Sequence, residues 1–155
     1  MIANFQQFVA AFPDWLQWVA IVLISAVPFV ESYLGSVIGI VIGVNPVVAT
    51  IAAIAGNIAS MLAVVLVVGA VRKRAGRRGD GSVPSPKRAR VRQLFERFGV
   101  PGVSLFGHPT QISSAAMIGF GAPRRAVIAW QCVSITLWGA IVATLATVGE
   151  SALAH

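Results

Sequence analysis

One carboxylate in this chain stands where carboxylates are costly. Glu31 lies inside VPFVESYLGSVIGIVIG (Val27–Gly43), an apolar stretch that also holds Pro28 and three glycines spaced four apart, Gly35, Gly39 and Gly43. An ionisable residue at membrane depth faces a bundle interior or a wet cavity, which makes it a functional-site candidate by default. Proline and repeated glycines suit a re-entrant or broken helix lining such a cavity better than a plain span. A second polar stretch, His108-Pro109-Thr110-Gln111 with Ser113 just beyond, interrupts another apolar region. It offers an imidazole that titrates near physiological pH, together with hydroxyls and an amide.

If Ser32 and Thr110 each open a half-helix, unpaired N–H groups and a positive helix end favour a carboxylate or phosphate. Glu31, a group that can be ionised or neutral, favours a cation instead, so the residues leave substrate charge open. The competing structural role for Glu31 is to cap its own helix by accepting the N–H of Tyr33 or Leu34. Asn57 and Gln131, polar groups inside uncharged segments, suit helix–helix hydrogen bonding and cavity lining equally. The candidate site is therefore Glu31, Ser32, Tyr33, His108, Thr110, Gln111, Ser113, Asn57 and Gln131. Gly35, Gly39 and Gly43 form a double GxxxG ladder for close helix packing.

The elements that must position these groups are membrane elements. Of 155 residues, 57% are apolar and 11% charged, with mean hydropathy +0.82. A soluble domain carries about a quarter charged residues. Ten of the twelve Lys and Arg fall between Arg72 and Arg97, and the others are Arg124 and Arg125. Between membrane spans, the positive-inside rule reads that cluster as a cytoplasmic loop rather than a nucleic-acid surface. The single Cys132 excludes an intrachain disulfide and has no metal-ligand company. The N-terminal MIANFQQFVAAFPDW lacks the basic n-region of a signal peptide. No nucleotide, zincin or nucleophile-elbow motif is present, so the expectation is no enzyme, no cofactor and no metal.

The segmentation predicts one all-α integral membrane domain over 1–155. Residues 1–14 form an interfacial or packing helix with Phe5, Phe8, Val9 and Phe12 on one face. A first re-entrant hairpin covers 15–44, with a single long crossing as the alternative. A transmembrane helix follows over 46–71, then a basic cytoplasmic loop over 72–98, a second re-entrant hairpin over 99–121 and a transmembrane helix over 124–149. Arg72 and Arg124/Arg125 both read as cytoplasmic, and the 23 residues Gly99–Gly121 are too few for two crossings, so they dip in and return. A shift of 78 residues lays Glu31–Gly43 over Pro109–Gly121, each ending in Gly, each followed closely by Pro and then by an uninterrupted span. Two such repeats inserted from opposite faces follow the inverted-repeat plan of secondary transporters, with both tips near the midplane.

PFVESYLGSVIGIVIGVNP, AGNIASM and FGVPGVSLFGHPTQISSAAMIGFGAPRR together resemble the bacterial small multidrug export protein family, over about residues 20–145. That family is similar to a compact relative of the DedA superfamily, whose members pair oppositely inserted re-entrant hairpins with transmembrane helices. The resemblance implies a multi-pass bacterial plasma-membrane protein associated with lipid translocation and proton-motive-force-dependent homeostasis. It carries Glu31 over as the hairpin acid. It carries no arginine to the second tip, which has His108-Pro109-Thr110-Gln111 instead.

The leading expectation is a small proton-coupled transporter for an amphipathic or lipid-like substrate, with a midplane site between the hairpins. An uncoupled lipid translocase is the runner-up and a non-transporting membrane scaffold the third reading. Expected partners are membrane lipids, protons as coupling ion, and further copies of the chain in a homodimer or larger oligomer.

Overall fold

The computed structural model describes residues 2–75, 86–106 and 110–153, and among them the chain is helical with no strand. Seven helices follow in order: α1 (Ile2–Ala10), α2 (Gln17–Ser25), α3 (Glu31–Val41), α4 (Pro46–Ala75), α5 (Pro86–Phe106), α6 (Gln111–Phe120) and α7 (Arg124–Leu153), with a 3₁₀ turn at Asp14–Leu16 before α2. Among the described residues only α4 and α7, each of 30 residues, are long and apolar enough to cross a membrane alone. At about 1.5 Å per residue each exceeds a hydrocarbon core of about 30 Å. Both outrun the uncharged stretches seen in the sequence. α4 carries Arg72, Lys73 and Arg74 as its last turn, where cations complement the helix dipole. The expected loop over 72–98 is thus helical at both ends, and α5 already begins at Pro86.

Contacts divide the chain into two compact units. The first comprises residues 1–60 with 135–155, and the second comprises 61–134. In the first unit, Pro13 stops α1, and the helical path into Asp14–Ser25 turns by 116°. Val9 of α1 is fully buried, with Phe5 and Phe12 against the same core, while Trp15 and Trp18 stay exposed. That core joins Ile21 and Ile24 of α2, Ile38 and Ile40 of α3, and Ala49, Ala52 and Ala53 of α4. Small residues make the close approach possible. A Cβ on Gly35 would lie 1.9 Å from Ser25 Oγ, and one on Gly39 would lie 2.8 Å from Ala49 Cβ. A Cβ on Gly56 would lie 2.1 Å from the Val22 carbonyl oxygen. Gly35 and Gly39 thus do the packing expected of the ladder. Gly43 does not: nothing lies near it, and its φ of +93° ends α3. Asn45 then caps α4, its Oδ1 accepting the N–H groups of Val47 and Val48, with Pro46 in the first turn.

In the second unit, α5 is broken at Gly99, whose φ of 64° and ψ of −160° are open to glycine alone. The helix resumes at Val100 with Pro101 in its new first turn, where a missing N–H is harmless. Before the break, Val91, Leu94 and Phe95 are half-buried, and the Phe95 ring sits 5.9 Å from that of Phe120. Phe98, at the same helical spacing, has an exposed ring that lies under Arg97. α7 turns Val127, Gln131 and Ser134 inward at helical spacing.

The two units share a local plan at the 78-residue offset. α4 and α7 begin 78 residues apart and have equal length. Both short helices end in a Schellman motif. Gly43 N–H donates to Ile40 C=O and Val44 N–H to Gly39 C=O, as Gly121 N–H donates to Ile118 C=O and Ala122 N–H to Met117 C=O. The carbonyls of Ala26 and Ser104, also 78 apart, each accept a serine hydroxyl from a long helix: Ser60 at 2.7 Å and Ser134 at 2.5 Å.

Candidate functional site

The tip of the first unit joins α2 to α3 through residues 26–30. Its exposed side is apolar, with Val27 and Phe29 projecting outward. Phe29 and Glu31 adopt φ values of 76° and 54°, the only positive values for non-glycine residues among those described. Each costs about 1–2 kcal/mol in an L-residue and persists only where the surroundings over-determine it. The chain thus turns sharply and delivers Glu31, 1% exposed, into the unit's interior.

The carboxylate meets no partner there. Neither Oε1 nor Oε2 accepts a hydrogen bond, and the start of α3 has no side-chain cap. Capping of Tyr33 or Leu34 by Glu31 is therefore absent, and Leu34 N–H donates to the Val30 carbonyl instead. All twelve Lys and Arg lie outside this unit, so among its described residues there is no fixed cation to pair with the acid. Ser25, at the end of α2, is likewise fully buried with its hydroxyl unpartnered. Buried polar groups are nearly always hydrogen-bonded, so two orphans on adjoining helices call for an explanation.

Ser32 behaves differently. Its hydroxyl donates to the Ile135 carbonyl at 3.3 Å and accepts the Asn57 amide at 3.4 Å, tying α3 to α7 and α4. Asn57 is thus engaged in helix–helix hydrogen bonding. Tyr33 is half-buried, and its carbonyl accepts the Ser36 hydroxyl at 2.9 Å.

In the second unit the start of α6 is closed by its own side chains. Thr110 Oγ1 accepts the Ser113 N–H at 3.0 Å, and Ser113 Oγ accepts the Thr110 N–H at 3.1 Å, a reciprocal capping box. Gln131 of α7 donates its amide to Ser113 Oγ at 3.1 Å, the counterpart of Asn57 on Ser32. Gln111 and Ser114 are buried beside them, and the Ser114 hydroxyl donates to the Thr110 carbonyl. His108 lies outside the described residues. At the far end of α6, the Arg72 guanidinium donates to the Ile118 carbonyl.

The site residues thus fall into two groups. Glu31, Ser32, Tyr33 and Asn57 belong to the first unit, and Thr110, Gln111, Ser113 and Gln131 to the second. The sequence reading missed Ser25, Ser104 and Ser134, because a serine in an apolar helix carries no signal without knowing which helix it faces. It also missed the strain at Phe29, which no residue type announces. Neither family models, nor characterised proteins, nor solved structures give a match to this chain.

Proposed function

We propose that this chain is a small integral membrane transporter, coupled to protons through Glu31 and moving an amphipathic or lipid-like substrate across a bacterial plasma membrane. The observation that carries this reading is a fully buried carboxylate with no hydrogen-bond partner and no Lys or Arg anywhere in its unit. A group retained at that cost serves exchange better than structure, because a proton or a ligand supplies what the fold withholds.

The membrane arrangement in this proposal is two re-entrant hairpins, α2–α3 and the end of α5 with α6, each followed by one span. Two features support it. α2, α3 and α6, of 9, 11 and 10 residues, are too short to cross alone. The short helices also share the Schellman ending and the 78-residue spacing to the spans. With one crossing by α4 between them, the hairpins enter from opposite faces, the second from the face that carries the basic residues.

The test is flux in proteoliposomes under an imposed pH gradient, with lipid scrambling measured in parallel. Wild-type protein is expected to conduct protons with a steep pH dependence, and Glu31→Gln to abolish that dependence while the protein stays folded. Lipid scrambling without proton flux, unchanged in Glu31→Gln, would establish the uncoupled translocase instead. Neither activity would leave the membrane scaffold.

A further inference from the structure

The N-termini of the short helices and the carboxylate make opposite demands on ligand charge, and the structure decides between them. Anion binding at a helix start uses free N–H groups, and at α6 the capping box engages the N–H groups of Thr110 and Ser113, with Ser114 N–H donating to the Thr110 carbonyl. The start of α3 carries a carboxylate as its first residue, which repels an anion. What remains without partners in the first unit is a set of acceptors. These are both Glu31 oxygens and the Ser25 hydroxyl, on two helices that pack together, with Ser25 Oγ set against Gly35, where a Cβ would lie 1.9 Å from it. Beside them the strained tip exposes Val27 and Phe29. An unpaired carboxylate, a hydroxyl and an aromatic ring fit a cation that has N–H donors and an apolar body.

We infer that the α2–α3 tip binds an organic ammonium group, with Glu31 and Ser25 accepting its N–H donors and Val27 and Phe29 holding its apolar part. This rests on the reading of Glu31 as an exchange site and names the substrate class of that site. The ammonium and a proton compete for one carboxylate, so binding to protonated protein releases one proton from Glu31 to solvent. No other group in the unit takes that role by charge. Asp14, Tyr33 and Glu150 are the remaining titratable side chains among its described residues, and none is cationic.

Three probes of similar body separate the alternatives: 2-phenylethylammonium, phenyltrimethylammonium, which lacks N–H donors, and the anion 3-phenylpropionate. Binding is measured by calorimetry on full-length protein in zwitterionic lipid nanodiscs, in two buffers of different ionisation enthalpy so that proton release is counted. The expected order is 2-phenylethylammonium tightest, phenyltrimethylammonium at least threefold weaker and 3-phenylpropionate at least thirtyfold weaker. Glu31→Gln is expected to lose at least thirtyfold for the primary ammonium, and Ser25→Ala about threefold. Equal affinity for cation and anion, no binding of any probe, or unchanged affinity in folded Glu31→Gln overturns the assignment. The charge series on wild-type protein needs no variant to fold. Glu31-dependent proton flux in proteoliposomes without an ammonium preference would remove this inference and leave the coupled-transporter reading intact.

Discussion

The two short helices α3 and α6 end alike and begin differently. Both finish on a left-handed glycine with the same pair of backbone hydrogen bonds, both precede a 30-residue apolar helix, and both receive a buried amide from that helix on a first-turn serine. At their N-termini the likeness stops. α6 opens on Thr110 in extended backbone with a complete capping box. α3 opens on Glu31 in left-handed backbone with no cap and no partner for the carboxylate. The same scaffold thus shows what a satisfied tip costs to build, and the contrast isolates what the first tip gives up. Both units hold buried acceptors without a partner, Ser25 Oγ in the first and Ser104 Oγ and Gln131 Oε1 in the second. Among the described residues, only the first holds an unpartnered buried carboxylate, at an uncapped helix start. Such failures concentrate at functional sites.

The largest effect that tests the comparison is all-or-none. Val47 and Arg125 occupy the same position, 78 residues apart, and both are exposed in the first turn of their long helices. In a Cys132→Ser background, Val47→Cys is expected to react with an impermeant maleimide only from outside and Arg125→Cys only from inside. Labelling of both from one face would end the description of the two hairpins as oppositely inserted copies.

Next come the helix starts themselves. Thr110→Val removes a capping box and is expected to lower stability by about 1–2 kcal/mol. Glu31→Met replaces an unpaired buried carboxyl by an apolar chain of similar length, and is expected to raise stability by about 1–3 kcal/mol. Thermal unfolding in matched detergent measures both. The opposite signs are the content of the comparison. A loss at Glu31→Met as large as that at Thr110→Val would mean that Glu31 stabilises its helix as Thr110 does.

Much of this was legible in the sequence, for reasons of differing strength. Long uncharged runs, one ending at Arg72 and the other beginning after Arg125, mark α4 and α7, because a helix satisfies the backbone of so long an apolar run within itself. Gly35 and Gly39 announce close packing through their four-residue spacing, and the structure places Ser25, Ile21 and Ala49 against them. Gly43 has the same spacing but a different task. A glycine needed for positive φ and one needed for contact look identical in sequence, and only the end of α3 tells them apart. The first turn of α6 was legible as chemistry but not as geometry: Thr110 and Ser113 fit a ligand site and a capping box equally well until their mutual hydrogen bonds are seen. The break in α5 follows from Gly99 and Pro101, and the helix before it, which begins at Pro86 inside the basic stretch, follows from the apolar spacing of Val91, Leu94 and Phe95.

The smallest effect lies where the units agree most closely. Gly43 and Gly121 have φ values of +93° and +100° in equivalent Schellman motifs. Adding a Cβ in this conformation costs about 1 kcal/mol, so Gly43→Ala and Gly121→Ala are expected to lose about the same amount from backbone alone. Their surroundings differ. Nothing lies within 4 Å of a Cβ at Gly43, whereas one at Gly121 would meet the Arg72 guanidinium at 3.3 Å. Arg72 holds the Ile118 carbonyl at that helix end, so the added methyl pushes against a charge-assisted hydrogen bond rather than against open space. Gly121→Ala is therefore expected to cost about 0.5–1 kcal/mol more than Gly43→Ala. The excess should disappear in an Arg72→Gln background, where the bond is already lost, and a double-mutant cycle on unfolding free energies reads it directly. Equal losses in the wild-type background would mean that Arg72 yields to the methyl without cost and does not clamp the end of α6.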